Sequence, residues 1–595
     1  MEMGILSRLL DSGSHTTFSM FVGLQRAAAA SEGRGCRTSP FSDSLQIHTS
    51  ILLQSSLHPQ ANIHRSMSTC QLPAWPPTLS PSHLDELQQA GATYALANSL
   101  IFKLPSPTGV HGSHVPFTLL PSPFPRDQFE KAERIQTAYN QLYMNIASSP
   151  ELIREVLGQS ISKVDPFVGR LYELWEALEQ EEAEDEVDEH FSLGIFRNDF
   201  LLHQSEPNQP LAIKQVEFNT VSVSFGSLAS KVSGLHRYLA GLTTIFNRSQ
   251  LPESPNQALQ SICKALRMAH QHYIAVECPD NPPVMLMIVK PNENNIFDQS
   301  LIEFQLDSEP DSIRMIRLSC HEVLKLTTVD PVTKKMFYVG GDMKREVSVV
   351  YYRSMYGPED FVSEDDWMGR YQLERSRAIN CPSLSIQLAG CKKFQQILTV
   401  PQFLETHREV LRAHIEPEGW EEVRSSWTAM YSLDDPAGLQ IASNPAQARH
   451  FVLKPQREGG GNNIYGLAIP AVVGQLPAEA RKSYILMSLI KTPPKVFNYL
   501  VRSSPHTTID STSTHPHHHN SLPSTEIISE LGIYGFALLA RKRLKTSAQI
   551  KQSTPGLKKL LFNFQAGHIL RTKDSQSGEG GVAIGISCLD SPLLI

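Results

Sequence analysis

Three stretches of the chain concentrate residue types suited to phosphates and hard metal ions. The first is Lys454-Pro455-Gln456-Arg457-Glu458-Gly459-Gly460-Gly461-Asn462-Asn463, entered by the apolar residues 451–453. Three glycines in a row add nothing to packing. They let a backbone approach a ligand closely and offer several N–H groups to phosphate oxygens. Lys454 and Arg457 add positive charge, and the Glu458 carboxylate can hold a cation. This is not the Walker loop, which needs a Lys-Ser/Thr pair after its glycines; a flexible surface loop is the plain alternative.

The second stretch runs from Lys214 to Phe225. Strand alternation predicts Gln215, Glu217 and Asn219 on one face, with Val216 and Phe218 on the other. A carboxylate and an amide oxygen two residues apart make a reasonable pair of Mg2+ ligands; a half-exposed strand with a polar outer face fits the pattern equally well. The third feature is a repeated i, i+2 pairing of charges: Arg197 with Asp199, and Arg571 with Lys573. A guanidinium grips a carboxylate through two parallel hydrogen bonds, whereas an ammonium suits a phosphate as a point charge. Arg353, which ends the extended run 347–352 and is followed by Tyr356, belongs to the same class, although each of these is also compatible with ordinary surface charge. A second glycine-rich segment, residues 578–585, follows Arg571 and Lys573. Two glycine loops suggest a lidded site that excludes water, with a plain turn as the alternative.

Elements must position these groups. Phe129, Ala132, Ile135, Tyr139, Leu142 and Ile146 recur at helical spacing, with Asp127 at the expected N-cap. Residues 257–317 read as helix, buried strand 284–289 and second strand 313–317, the logic of parallel strands flanked by helices. The acidic residues 181–189 read as a solvated helix end or loop. Residues 503–525, with His515 and residues 517–519 all histidine, read as a mobile insertion. Residues 1–70 read as a disordered or targeting extension, with Met67 a candidate natural start.

At 595 residues the chain is expected to hold two or more subdomains, and 41% hydrophobic with 19% charged residues is ordinary globular composition. A net charge of −7 without a basic stripe argues against nucleic acid as a partner. The 8 cysteines are scattered without CxxC spacing, which fits reduced thiols and a cytoplasmic setting, with mitochondrial targeting by the extension as the lesser alternative. Apolar runs are too short for a membrane span.

Taken together, these segments resemble the eukaryotic glutathione synthetase family of ATP-grasp ligases, from about Val115 to Leu594. The matching runs are residues 193–199, 215–220, 295–299, 454–463, 528–532 and 570–573. The resemblance implies an α/β (α+β) ATP-grasp fold, with a ligase body begun by residues 71–282, a smaller inserted parallel α/β substrate-binding domain at 283–391, and a C-terminal part with lid loops at 392–595. It implies ATP and Mg2+ as cofactors, with Glu217, Asn219 and Glu458 on the metal. The loop Lys454, Gln456, Arg457, Glu458, Gly459, Gly460, Gly461, Asn462 and Asn463 would cover the phosphates. Tyr465, Lys392, Glu530, Lys573, Glu579 and the hinge Met487, Ser488, Leu489 and Ile490 would also contact the nucleotide.

The same resemblance places Arg197, Ser222, Val223, Ser224, Gln299 and Arg353 on the peptide substrate. Ser354, Met355, Tyr356, Arg571, Val582 and Ala583 complete that set, and Arg197, Lys454, Glu458 and Arg571 would act in catalysis. The implied reaction joins γ-glutamylcysteine to glycine through an acyl phosphate, in a homodimer; β-alanine or serine as acceptor, or a catalytically silent ATP-binding scaffold, are the alternatives. Two positions depart from the family pattern: the hinge reads Met487-Ser488-Leu489-Ile490, and Met355 stands where glycine is usual.

Overall fold

The computed structural model describes residues 71–104, 110–184, 189–253, 255–308, 310–459, 461–502, 522–542, 560–578, 580–582 and 585–595. Among them, no helix is long and apolar enough to cross a membrane. The extension 1–70, Gly460, Glu579 and Ala583 lie outside the described residues, as does most of the expected insertion.

The framework is a sheet of 13 strands built around β1 (Glu189–His203). Its side chains alternate between two cores: Leu193 and Ile195 pack into one, Phe196, Phe200 and Leu202 into the other. The face that carries Leu193 and Ile195 turns charged at Arg197 and Asp199. This switch marks where the sheet leaves the core and meets the functional cleft.

The length of β1 lets it serve two kinds of neighbour. Its C-terminal part pairs antiparallel with β2 (Ala212–Asn219), and Asn380 of β6 (Ile379–Cys381) lies parallel to Ser192 near its N-terminal end. Beyond β6 the sheet continues in parallel through β5 (Met343–Tyr352), β3 (Val284–Val289) and β4 (Met315–Ser319). The helix–strand–strand reading of 257–317 therefore holds: α3 (Ala258–Glu277) precedes β3, and α4 (Ile296–Ser308) connects β3 to β4. Met285 and Met287 face one core, Leu286 and Ile288 the other, as expected for a strand buried on both faces. These parallel strands have no sheet of their own, because β6 joins them to β1.

On the other edge of β1 lie two long antiparallel strands, β11 (Ser524–Lys542) and β12 (Leu560–Asp574). The strand β11 takes up Ser524 and Thr525, so the expected insertion ends before them. The helix α1 (Arg126–Ala147) buries Phe129, Ala132, Ile135, Tyr139, Leu142 and Ile146 as the spacing predicts, but begins earlier. Pro125 is its N-cap and Asp127 sits in the first turn, where a carboxylate still favours the helix dipole. The other helix that bears on the site, α2 (Gly226–Leu239), follows β2.

A second sheet has its own small core of Leu433, Leu453, Ile469, Val473 and Leu486. Its strands are β7 (Met430–Ser432), β8 (Phe451–Pro455), β9 (Ile464–Tyr465) and β10 (Tyr484–Ser488), in the order β7-β10-β8-β9. The triple-glycine loop is the turn of the hairpin β8–β9. Gly459 and Gly461 adopt φ of +81° and +97°, which side-chain-bearing residues rarely tolerate.

Candidate active site

The large sheet and the hairpin sheet enclose a cleft of about 640 Å³. Its floor is the charged end of the large sheet. Tyr534 of β11 stands opposite Arg197, and Glu530 lies opposite both Leu201 of β1 and Arg571 of β12, so register alone gathers these groups. Asp199 lies beneath them, fully buried. It accepts hydrogen bonds from Arg197 Nε at 2.7 Å and Nη2 at 2.8 Å, from Arg571 Nη2 at 2.8 Å, and from Asn219 Nδ2 at 2.8 Å. Arg571 also reaches Glu530. Gly532 makes this slot possible: a Cβ there would lie 2.6 Å from Asp199 Oδ1 and 2.8 Å from Arg197 Cδ.

The sequence expectation for β2 needs one correction. Asp199 pairs with Glu217 and Phe200 with Gln215, leaving Val216 as an extra residue, a β-bulge. The bulge turns Gln215 to the face opposite Glu217, where it donates to Asn198 Oδ1 at 2.9 Å. Glu217 and Asn219 remain on the cleft side. The carbonyl of Val216, released from the ladder, accepts from Lys454 Nζ at 3.0 Å and from Gln395 Nε2 at 3.2 Å. One bulge thus anchors the lysine of the hairpin sheet onto the large sheet.

Charge is densest around Glu217. Burial alone would push its carboxyl up, but Lys392, Lys454, Arg571 and Arg197 overcome this and hold it down to about 2. Lys392 Nζ stands 3.5 Å from both Glu217 Oε2 and Glu458 Oε1. Burial raises the Glu458 carboxyl; Lys392 draws it down and the Glu217 charge adds to the rise. Burial lowers the Lys454 ammonium, which Glu217 partly offsets. Burial would also lower Arg197, but Asp199 more than compensates, so the guanidinium stays charged. Two carboxylates bridged by one ammonium, each with 26% of its side chain open to the cleft, form a donor set that suits a hard divalent cation. Asn219 commits its amide nitrogen to Asp199 and to the Arg197 carbonyl, so its oxygen is the atom that could accept from or bind a ligand in the cleft.

A model of the ATP-binding domain of eukaryotic glutathione synthase matches residues 81–594. The glutathione synthetase large chain of Schizosaccharomyces pombe is 33% identical over 539 residues, covering 86% of this chain and 98% of that one. The Homo sapiens glutathione synthetase is 33% identical over 517 residues, covering 86% and 96%. This chain belongs to the eukaryotic glutathione synthetase family. Among solved structures, a glutathione synthetase-like effector from Globodera pallida superposes with a TM-score of 0.62 at 20% identity, covering 87% of this chain and 98% of that one, a likeness of fold.

Most residues singled out from sequence share the cleft. Arg197, Glu217, Asn219, Glu530, Arg571 and Lys573 line its floor, with residues 222–224, Tyr356 and Val582 beside them. Lys454, Glu458, Gly459, Asn463 and Tyr465 line the opposite wall with the family hinge, residues 487–490. Lys392 reaches in from behind, as its contacts show. Gln456 and Arg457 turn away from the wall: Gln456 Oε1 accepts from the Lys393 backbone at 3.1 Å, and Arg457 pairs with Asp165 at 2.5 Å.

Gln299, Arg353, Ser354, Met355, Gly461 and Asn462 do not line the cleft. Gln299 is occupied by Glu293 at 3.1 Å and Arg317 at 2.9 Å. Arg353 pairs with Asp298 at 3.0 Å, both nearly fully buried. Asp298 in turn accepts the backbone N–H groups of Phe225 and Ser227 at 3.0 Å and Leu228 at 3.3 Å. These contacts fix the turn before α2, where Ser222 and Phe225 adopt positive φ of 52° and 67°. Asp298 and the cleft residues Thr492, Ser575, Ser577 and Ser587 were missed by the sequence reading, which paired Asp199 with Arg197 but gave Asp199 no role in the site.

Proposed function

We propose that this chain is an ATP- and Mg2+-dependent carbon–nitrogen ligase that joins γ-glutamylcysteine to glycine through an acyl phosphate, acting as a homodimer in the cytoplasm. The observation that carries this reading is the convergence of two lysines and two arginines on Glu217. Cations suited to phosphates and forks suited to carboxylates meet around a single point, as phosphoryl transfer to a carboxylate requires.

In the first step a peptide carboxylate oxygen attacks the γ-phosphorus of ATP, and the bond to the ADP oxygen breaks. In the second, the glycine amine attacks the acyl carbon, phosphate leaves, and the nitrogen gives up a proton. No side-chain nucleophile is needed. Lys454 and Lys392 stabilise charge on the transferring group, and Arg197 and Arg571 orient the peptide. Glu217, Glu458 and Asn219 would hold Mg2+, which supplies further charge neutralisation when bound. Gly578, Gly580, Gly581 and Val582 line the cleft together with Gly459, and glycine loops closing there would keep water from the acyl phosphate. Arg353 Nε and Nη1 are buried without a hydrogen-bond partner, but Arg353 does not line the cleft, so a substrate carboxylate would reach it only after the side chains around it moved. Incubating the purified chain with ATP, Mg2+, γ-glutamylcysteine and, separately, glycine, β-alanine or serine, then weighing the products, tests the reading. A β-alanine or serine adduct in place of glutathione would shift the acceptor; ATP binding without any product would leave a scaffold.

Arg571 and Lys573 share one strand but are expected to serve different ligands. Arg571→Lys loses the fork and should weaken peptide binding by about 1.5–3 kcal/mol, with ATP affinity moving much less. Lys573→Met should show the opposite pattern. Both binding constants, measured for both variants, decide it; equal effects on both ligands would refute separate roles. All proposed site residues lie beyond residue 196, so a chain starting at Met67 is expected to keep full turnover, and loss of activity on that truncation would show otherwise.

A further inference from the structure

Far along the sequence from the cleft residues of β1 and β12, Cys320, His321 and Asp366 place three ligand atoms within 4.8 Å of one another. Cys320 Sγ lies 3.6 Å from His321 Nδ1, and Nδ1 lies 2.6 Å from Asp366 Oδ1. Cys320 is buried, whereas 41% of the His321 side chain is exposed. Asp366 is fixed independently: its other oxygen accepts the backbone N–H groups of Val362 at 2.9 Å and Ser363 at 2.8 Å. We propose that Cys320, His321 and Asp366 form a binding site for a thiolate-seeking divalent ion of the zinc class, with solvent at a fourth position.

The geometry is close to what such an ion needs. Bonds of about 2.0–2.3 Å at a tetrahedral centre put ligand atoms roughly 3.3–3.7 Å apart. The sulfur–nitrogen separation already fits, and the nitrogen–oxygen pair must open by about 0.7 Å to reach that range, a movement the exposed imidazole can make. Binding replaces the S–H bond with a metal–sulfur bond and releases one proton to solvent. The imidazole proton moves from Nδ1 to the other ring nitrogen, with no net loss. A thiolate, an imidazole and a carboxylate together favour zinc over magnesium, which takes oxygen ligands. The site is also tied to the cleft. Cys320 Sγ donates to the Asp360 carbonyl at 3.0 Å, and the Asp360 carboxylate accepts the backbone N–H of the cleft residue Tyr356 at 3.1 Å.

Titrating the full chain with Co2+ tests the proposal. One equivalent should give a sulfur-to-cobalt charge-transfer band that Zn2+ abolishes. Cys320→Ser should remove the band, and His321→Ala, at an exposed position, should weaken Co2+ binding at least tenfold while far-UV circular dichroism stays unchanged. Cobalt held by the histidine-rich residues 515–519 carries no thiolate band and is thereby separated. Absence of the band in the unaltered chain, its persistence in Cys320→Ser, or unchanged affinity in His321→Ala would overturn the site.

Discussion

Asp199→Asn is expected to lower kcat/KM for the peptide by roughly two to three orders of magnitude, although Asp199 does not line the cleft. Its carboxylate neutralises the buried Arg197 and half-buried Arg571 guanidinium groups and orients Asn219, through hydrogen bonds of 2.7–2.8 Å. An amide keeps the shape but replaces one acceptor oxygen with an NH2 donor facing the arginines and removes the negative charge that Asp199 supplies to them. Breaking a buried pair in this way costs about 3–5 kcal/mol. Glu530 and Glu217 remain nearby, so the arginines are expected to swing toward them and away from the orientation that Asp199 imposes. Asp199→Glu should not rescue, because the slot against Gly532 has no room for another methylene. Steady-state kinetics with varied peptide, alongside a thermal melt, checks this. A variant that melts lower yet turns over normally would confine Asp199 to stability.

The contrast between Asp199 and Glu217 shows what the sequence carried and what it could not. Helical spacing at 129–146 and the apolar run 284–289 were legible because burial imposes a period on one segment by itself. The triple glycine was legible because few other roles require it. The bulge at Val216 was not, since it exists only in the pairing of β2 with β1, and nothing in residues 214–219 marks the extra residue. It reversed the facing of Gln215 and gave Lys454 its anchor. Likewise, periodicity identified the parallel strands but not their neighbours, so the continuity of their sheet with β1 was hidden. Gly532 read only as part of a motif; its reason is a cross-strand contact with the Arg197–Asp199 pair. Arg353 was expected to be a substrate fork, yet it does not line the cleft, and its position is set by Asp298, 55 residues earlier, which no local pattern announces.

Glu458→Gln is expected to lower turnover by at least about 10²–10³-fold, the scale seen when one charge-stabilising group is removed from a preorganised site. The effect runs through Lys392, whose ammonium stands 3.5 Å from Glu458 and equally from Glu217. Glu458 and Glu217 are the two carboxylates that Lys392 bridges, and together they are the charged oxygens that would hold a divalent cation. With an amide at 458, Lys392 neutralises Glu217 alone and the attraction for a second cation falls. The fold should not suffer. Burial raises the Glu458 carboxyl in the folded chain, so folding penalises its charge relative to the unfolded chain, and a neutral amide relieves that cost. The thermal midpoint at neutral pH is therefore expected to stay level or rise while ligation collapses and the Mg2+ concentration needed for half-maximal rate increases. Near-normal turnover at ordinary Mg2+ would remove Glu458 from the metal site, and a lowered midpoint would mean that its charge supports the hairpin.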